Sequence, residues 1–133
     1  MSSPESAQHG YPEDQAAQLV GIELQEVQPG FAKASLTIQE KHLNGHGTTH
    51  GGIVFLLADT VFAYACNSRG VKTVGSQCDI SYHLPSRNGD VLIATGEERY
   101  LNGRNGIYDI VIKNQHDQIV AHFRGHSTAL RTN

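Results

Sequence analysis

The 133-residue sequence has no tryptophan, a single methionine and only two cysteines. Cys66 and Cys78 show neither CxxC spacing nor a disulfide framework, so we interpret them as free thiols. No apolar run reaches the roughly 18 residues that a membrane-spanning helix needs. Residues 1–6 lack the basic start and apolar core of a signal peptide. These absences predict a cytoplasmic protein that does not associate with a membrane.

Basic residues are also scarce. The chain has 10 lysines and arginines against 13 acidic residues, giving a formal net charge of -3 and a pI of about 6.2. A domain that binds nucleic-acid phosphates normally has a basic patch or a basic balance, so we expect no nucleic-acid partner. A small anion held by a few local arginines or lysines is still compatible with this composition.

The length predicts one domain. Residues 1–11 are polar and predict a flexible N-terminal tail, which leaves residues 12–133 for the domain. A short helix is predicted from Tyr11 to about Leu19, with Pro12 near its start. Residues 20–27 and 31–38 alternate apolar with polar side chains around a Pro29-Gly30 turn, which predicts a β-hairpin.

Residues 51–66 are apolar on nearly every face, apart from one acid, Asp59. A helix that is apolar all round is typical of the middle of a protein. Residues 71–83, 91–101, 107–114 and 119–128 all have strand character. The order β-β-α-β-β-β-β predicts an α+β fold, with an antiparallel sheet of about five to six strands around one long central helix.

The start of this helix and Asp59 suggest acyl-transfer chemistry. Gly51 and Gly52 allow a ligand close to the backbone, and the first helical turn offers unpaired N–H groups at the positive end of the dipole. Such donors stabilise the oxyanion that forms when a nucleophile adds to a carbonyl. Asp59 can activate water or attack the carbonyl itself. The alternatives are that Asp59 is a satisfied core acid and that the glycines are turn residues.

The spacing of these groups predicts an oligomer. Gly51 and Asp59 are eight residues apart, or about 12 Å along a helix at about 1.5 Å per residue. A general base must lie within about 3 Å of the atom that it serves, directly or through a water. One chain therefore cannot bring both groups to one site. We predict an isologous dimer in which Asp59 of one subunit faces Gly51 of its neighbour.

Two polar residues precede the helix. His50 can hydrogen-bond within the loop or contact the reacting group of a substrate. Asn44 can orient the attacking water, or Asp59 across the interface. Each residue also has an ordinary interpretation, His50 as a structural histidine and Asn44-Gly45 as a turn.

A set of separated motifs runs through the chain: Asn44-x-x-Gly47-x-x-His50-Gly51-Gly52, Leu57-Ala58-Asp59, Ala65-Cys66-Asn67-Ser68, Asp79-Ile80-Ser81-Tyr82-His83-Leu84-Pro85, Gly89-Asp90, Gly106-Ile107-Tyr108-Asp109-Ile110 and Phe123-Arg124-Gly125. Together they resemble the hotdog-fold thioesterase superfamily, in particular the acyl-CoA thioesterases of phenylacetate degradation. The resemblance covers about residues 14–128.

This resemblance implies a hotdog fold, dimers that join into homotetramers, and hydrolysis of phenylacetyl-CoA or its ring-hydroxylated forms. It implies no metal and no cofactor, since coenzyme A is part of the substrate. Asp59 would be the nucleophile or general base, Gly51 the donor to the carbonyl, and His50 and Asn44 supporting residues. Some members place a Ser or Thr beside the acid, and among residues 73–76 we select Ser76.

Coenzyme A also carries phosphates, which surface loops can meet. Arg87 and Arg104 lie in two such loops and are the candidate phosphate ligands. Each of them, considered alone, is more typical of a turn with a solvated charge.

Three other functions fit parts of the sequence. His42, His46 and His50 recur every four residues, as do His122 and His126, which is a metal-ligand spacing if the segment is helical. Gly45 and Gly47 oppose such a helix. A non-catalytic acyl-CoA binding or regulatory protein on the same fold would not need Asp59. A hydratase or dehydratase would use an acid and a histidine without releasing a thiol.

Overall fold

A computed structural model describes residues 11–131. Its elements in chain order are α1 (Gln15–Val20), β1 (Glu23–Gln28), β2 (Phe31–Thr37), a 3₁₀ turn (Glu40–His42), α2 (Gly51–Cys66), β3 (Thr73–Tyr82), β4 (Val91–Asn102), β5 (Asn105–Lys113) and β6 (Ile119–Ala129). The predicted α+β class and the predicted order of long helix and strands are confirmed.

The six strands form one antiparallel sheet in the order β1-β2-β4-β5-β6-β3. β1 and β2, β4 and β5, and β5 and β6 are neighbours both in sequence and in the sheet. β3, the first strand after α2, pairs with β6 instead of β4. It therefore lies at the end of the sheet, and its outer edge has no strand partner within residues 11–131.

Helix α2 lies across the sheet and contacts all six strands. Leu57, Val61 and Phe62 are at most 1% exposed, and they pack with inward-facing strand residues such as Leu36 and Ile110. Full burial of one such side chain contributes about 1.5–3 kcal/mol. The all-round apolar character of the helix is thus explained by its position, which confirms the central helix expected from the sequence.

The first helix is shorter than predicted. Asp14 is its N-cap and accepts a hydrogen bond from the backbone N–H of Ala17 at 3.0 Å, so the helix starts after Asp14 and not near Pro12. Gly21, at φ 98°, ends it in the left-handed region. The predicted first strand therefore begins at Glu23, since residue 20 is still helical.

Tyr11 departs from the prediction of a flexible tail. Its ring is half-buried and meets the ring of Tyr64 edge-on, with centroids 4.8 Å apart. The domain therefore includes Tyr11. Residues 1–10, the rest of the predicted tail, lie outside the described residues.

No helix within residues 11–131 combines the length and the apolar character that crossing a membrane requires.

Candidate active site

Asp59 lies in the middle of α2 with its side chain half-buried. Burial raises the pKa of its carboxyl group, and the nearby carboxylate of Asp14 raises it further. Among the described residues, nothing donates a hydrogen bond to Asp59 or pairs with its charge. The structure thus gives no support to a satisfied core acid. A desolvated carboxylate without a partner is typical of a functional group.

Asp59 faces a cavity of about 490 Å³, which we call the aspartate cavity. It lies between α2, the start of β3 and the segment before α1. Its lining residues are Tyr11, Pro12, Asp59, Phe62, Ala63, Cys66, Asn67, Gly70, Lys72, Thr73, Val74 and Gly75. The volume lies within the range of about 300–1,000 Å³ that is usual for small-molecule sites.

The N-terminus of α2 is organised by its cap. His50 is the N-cap residue, and its Nδ1 accepts the N–H of Gly52 at 2.8 Å. The hydroxyl of Tyr82 donates to the carbonyl oxygen of Gly51 at 2.9 Å. Within residues 11–131, the N–H of Gly51 has no acceptor. The cap therefore occupies the second N–H of the helix and leaves the first, on Gly51, available.

Gly51 lines a second cavity of about 270 Å³, which we call the glycine cavity. Its other lining residues are Thr49, Val54, Tyr82, His83, Leu84, Pro85, Ser86 and Val120. It shares no residue with the aspartate cavity. Within one chain the two groups thus lie in separate cavities, as their spacing along the helix predicts.

Asn44 shapes the loop before the helix. Its Oδ1 accepts the N–H groups of His46 at 2.8 Å and Thr48 at 3.2 Å, and its Nδ2 donates to Thr48 Oγ1 at 3.1 Å. These contacts fit the turn interpretation. A role for Asn44 at the neighbouring subunit stays a prediction.

Ser76 does not line the aspartate cavity of its own chain. It lies at a β-bulge between Gly75 and Gln77, is exposed, and donates to the carbonyl oxygen of His126 at 3.1 Å. Thr73 does line the cavity, although its hydroxyl donates to the carbonyl oxygen of Val71 at 2.8 Å. Of Thr73 and Ser76, the two hydroxyl residues at the start of β3, only Thr73 lines the cavity that Asp59 faces.

The two candidate phosphate ligands adjoin different cavities. Arg87 is exposed and directly follows Ser86 of the glycine cavity. Arg104 is exposed in the β4–β5 turn, where its Nε donates to the carbonyl oxygen of Ala129 at 3.0 Å. It lines a small cavity of about 90 Å³ that shares Cys66 and Thr73 with the aspartate cavity.

The three regularly spaced histidines do not share a helix. His42 belongs to the 3₁₀ turn, and both of its ring nitrogens are engaged, Nδ1 with the N–H of Gln39 at 2.9 Å and Nε2 with the carbonyl oxygen of Val20 at 2.8 Å. Across residues 11–131 no three His, Cys, Asp or Glu side chains are grouped to hold a metal ion.

The sequence alone missed two residues of these cavities. Tyr11 lines the aspartate cavity from the segment that was assigned to the tail. Tyr82 holds the Gly51 carbonyl from the end of β3. The aromatic character of Tyr11, beside Pro12 in an otherwise polar segment, was the available signal.

Residues 46–121 match the family model described as the thioesterase superfamily. The chain is 45% identical over 117 residues to the acyl-coenzyme A thioesterase PaaI of Escherichia coli, an alignment that covers 88% of this chain and 84% of the relative.

Solved structures agree with this match. The E. coli PaaI protein from the phenylacetic acid degradation operon superimposes with a TM-score of 0.90 at 42% identity, covering 96% of this chain and 93% of that one. A hypothetical thioesterase protein of Streptococcus pneumoniae with coenzyme A superimposes with a TM-score of 0.80 at 24% identity, covering 85% of this chain and 88% of that one. At this lower identity the match shows a common fold.

Proposed function

Since the chain belongs to the thioesterase superfamily, we propose that it hydrolyses acyl-CoA thioesters to a free acid and coenzyme A, with phenylacetyl-CoA or a ring-hydroxylated phenylacetyl-CoA as substrate. The E. coli relative carries the name of an acyl-coenzyme A thioesterase, and its solved structure is of a protein from the phenylacetic acid degradation operon. The observation that carries the proposal is the carboxylate of Asp59, desolvated, without a partner and facing a cavity of ligand size.

The reaction needs a base or nucleophile and an oxyanion donor. Asp59 takes a proton from water, and the hydroxide adds to the thioester carbonyl while the carbonyl oxygen accepts the Gly51 N–H. The C–S bond then breaks, and the thiolate leaves with the proton that Asp59 holds. If Asp59 instead attacks the carbonyl, an acyl–aspartyl anhydride forms as the thiolate leaves, and water then cleaves it.

We also propose that the catalytic unit is a homodimer, because Asp59 and Gly51 of one chain line separate cavities. Gly52, Leu56, Asp59 and Ala63 form a single stripe along α2, and each is half-buried or exposed in the isolated chain. Within residues 11–131 the outer edge of β3 has no strand partner, and the start of β3 lines the aspartate cavity together with Asp59 and Ala63 of this stripe. A second copy related by a two-fold axis would cover both features and bring Asp59 to Gly51 of the partner subunit.

Replacing Asp59 tests the chemistry. We expect Asp59→Asn to lower kcat for phenylacetyl-CoA by about 10²–10⁴-fold, the usual contribution of a general base. Release of coenzyme A is followed with a thiol reagent. Asp117→Asn is the matched control, because Asp117 is an exposed turn residue paired with Lys113 and lines neither the aspartate nor the glycine cavity.

The same assay separates the alternative functions. A hydratase or dehydratase releases no thiol from any acyl-CoA, and a non-catalytic binding protein releases none either while still binding the thioester. Full activity of the Asp59→Asn variant would exclude the proposed role of the carboxylate.

A further inference from the structure

Two aromatic side chains line the aspartate cavity, and they come from different parts of the fold. Phe62 is on α2, three residues after Asp59, and Tyr11 is in the segment that precedes α1. The cavity therefore places two rings near the carboxylate that is proposed to act on the thioester.

Phe62 is fixed by its surroundings. Its side chain is 1% exposed, and a Cβ atom added at Gly125 or Gly75 would lie 2.7 Å or 2.9 Å from its ring. Such separations are shorter than carbon–carbon contacts of about 3.5–4.0 Å. Glycine at positions 75 and 125 of the sheet thus leaves the space that the Phe62 ring occupies. Phe62 forms the closed back of the cavity and offers little surface to a ligand.

Tyr11 offers more surface. It is half-buried, and its ring is held against Tyr64 at an interplanar angle of 77°. The pKa of its hydroxyl is raised to about 12, chiefly by burial and then by neighbours that include Asp14 and Asp59. The side chain is therefore a neutral phenol at ordinary pH, within electrostatic reach of the catalytic carboxylate.

We propose that Tyr11 is a specificity-determining residue, whose ring forms the wall of the acyl pocket against which an aromatic acyl group packs. Aromatic rings attract one another in offset or edge-to-face geometry, beyond the area that they bury. A flexible alkyl chain gains no such term from the same wall. This inference rests on the proposed function, because it takes the aspartate cavity as the acyl pocket.

The test compares an aromatic with an alkyl substrate on the full chain. Values of kcat/KM are measured for phenylacetyl-CoA and hexanoyl-CoA by thiol release, and their ratio is the readout. The variants are Tyr11→Ala, Tyr11→Leu, which keeps apolar bulk, and Tyr11→Phe, which keeps the ring. Tyr100→Ala is the matched control, since Tyr100 is 53% exposed on β4 and does not line the aspartate cavity.

We expect the aryl-to-alkyl ratio to fall roughly three- to tenfold in Tyr11→Ala and Tyr11→Leu, as the loss of one aromatic contact predicts. Tyr11→Phe and Tyr100→Ala should keep the wild-type ratio. A general loss of folded enzyme in one variant lowers kcat/KM for both substrates by the same factor. The aryl-to-alkyl ratio then stays unchanged.

Other outcomes overturn specific parts of the account. An unchanged ratio in both Tyr11→Ala and Tyr11→Leu overturns the role of Tyr11 and leaves the thioesterase function intact. A fall in Tyr11→Phe equal to that in Tyr11→Ala overturns ring packing. A wild-type protein that cleaves neither thioester overturns the proposed function and this inference with it.

Discussion

Asp59 is a carboxyl group whose charged form the folded protein disfavours, because burial and Asp14 raise its pKa. The proposed base must be deprotonated, so kcat/KM should rise with pH through this raised pKa, at a midpoint above the ordinary value of about 4. A pH profile of kcat/KM measures this midpoint. If kcat/KM instead rises with a midpoint at or below about pH 4, a desolvated Asp59 is not the base.

The same shift has a consequence for stability. The folded-state pKa lies above the unfolded one, so ionisation of Asp59 opposes folding at neutral pH and has no effect below both values. Asp59→Asn should therefore melt at a higher temperature than the wild type at pH near 7. The difference should shrink as the pH falls through the raised folded-state pKa, and it should disappear below the unfolded-state value of about 4. Equal melting temperatures throughout would mean that the carboxylate is not desolvated.

Arg87 and Arg104 are predicted to bind the phosphates of coenzyme A. Arg87 directly follows Ser86 of the glycine cavity, and Arg104 lines a cavity that shares two residues with the aspartate cavity. If the dimer joins these two cavities, as proposed, both arginines would lie beside one site. The double replacement Arg87→Ala with Arg104→Ala should raise KM for phenylacetyl-CoA several-fold. It should leave KM for a phosphate-free thioester, phenylacetyl-N-acetylcysteamine, unchanged. An equal effect on both substrates would argue against phosphate binding.

At the scale of the element, the N-terminus of α2 depends on His50 as its cap. Loss of an N-cap side chain costs about 0.5–2 kcal/mol, whereas asparagine is among the best capping residues. We expect His50→Ala to lower the free energy of unfolding by about 1 kcal/mol, and His50→Asn to restore most of it. Denaturant unfolding of the three proteins measures this order.

Activity of the same variants separates the two interpretations of His50. If His50 acts only as the cap, His50→Asn retains kcat and KM near the wild-type values. A large loss of kcat in His50→Asn, with stability retained, would show that the imidazole contacts the substrate.

The helices and strands also show which features of the fold a sequence pattern can predict and which it cannot. The apolar run with glycines at its start predicts both ends of α2, since helix signals are local. Strand alternation predicts which residues face the helix, but it does not predict which strand lies beside which. The position of β3 beside β6 depends on pairings between residues that are distant in sequence. The bulge between Gly75 and Gln77 also interrupts the alternation of side chains between the two faces of β3, so the alternation does not show which face Ser76 lies on.

The burial of Tyr11 illustrates the same limit. Its surroundings include Tyr64 and the aspartate cavity, which are distant in sequence. One aromatic residue in a short polar segment was the only local signal, and it does not show what the ring packs against. Asp59 and Gly51 could be selected from the sequence, because an acid in an apolar helix and glycines at a helix start are local anomalies. Their separation could also be predicted, because helix geometry is fixed.

At the scale of the whole molecule, the central claim is that each site uses Asp59 of one subunit and Gly51 of the other. Gly51→Pro removes the N–H while suiting the first position of a helix, where proline is favoured. His50 before it has an extended ψ of 133°, which a following proline accepts. Gly51→Ala, which keeps the N–H, is the control and should stay active. Asp59→Asn removes the base.

The decisive measurement is the activity of a mixture of these two inactive variants, Asp59→Asn and Gly51→Pro, after subunit exchange. Random exchange in an equal mixture makes half of the dimers mixed. Each mixed dimer has one intact site, in which Asp59 of the Gly51→Pro subunit faces Gly51 of the Asp59→Asn subunit. About a quarter of the wild-type activity should therefore return. If both groups served a site within one chain, the mixture would stay as inactive as either variant alone, and the shared-site account would be wrong.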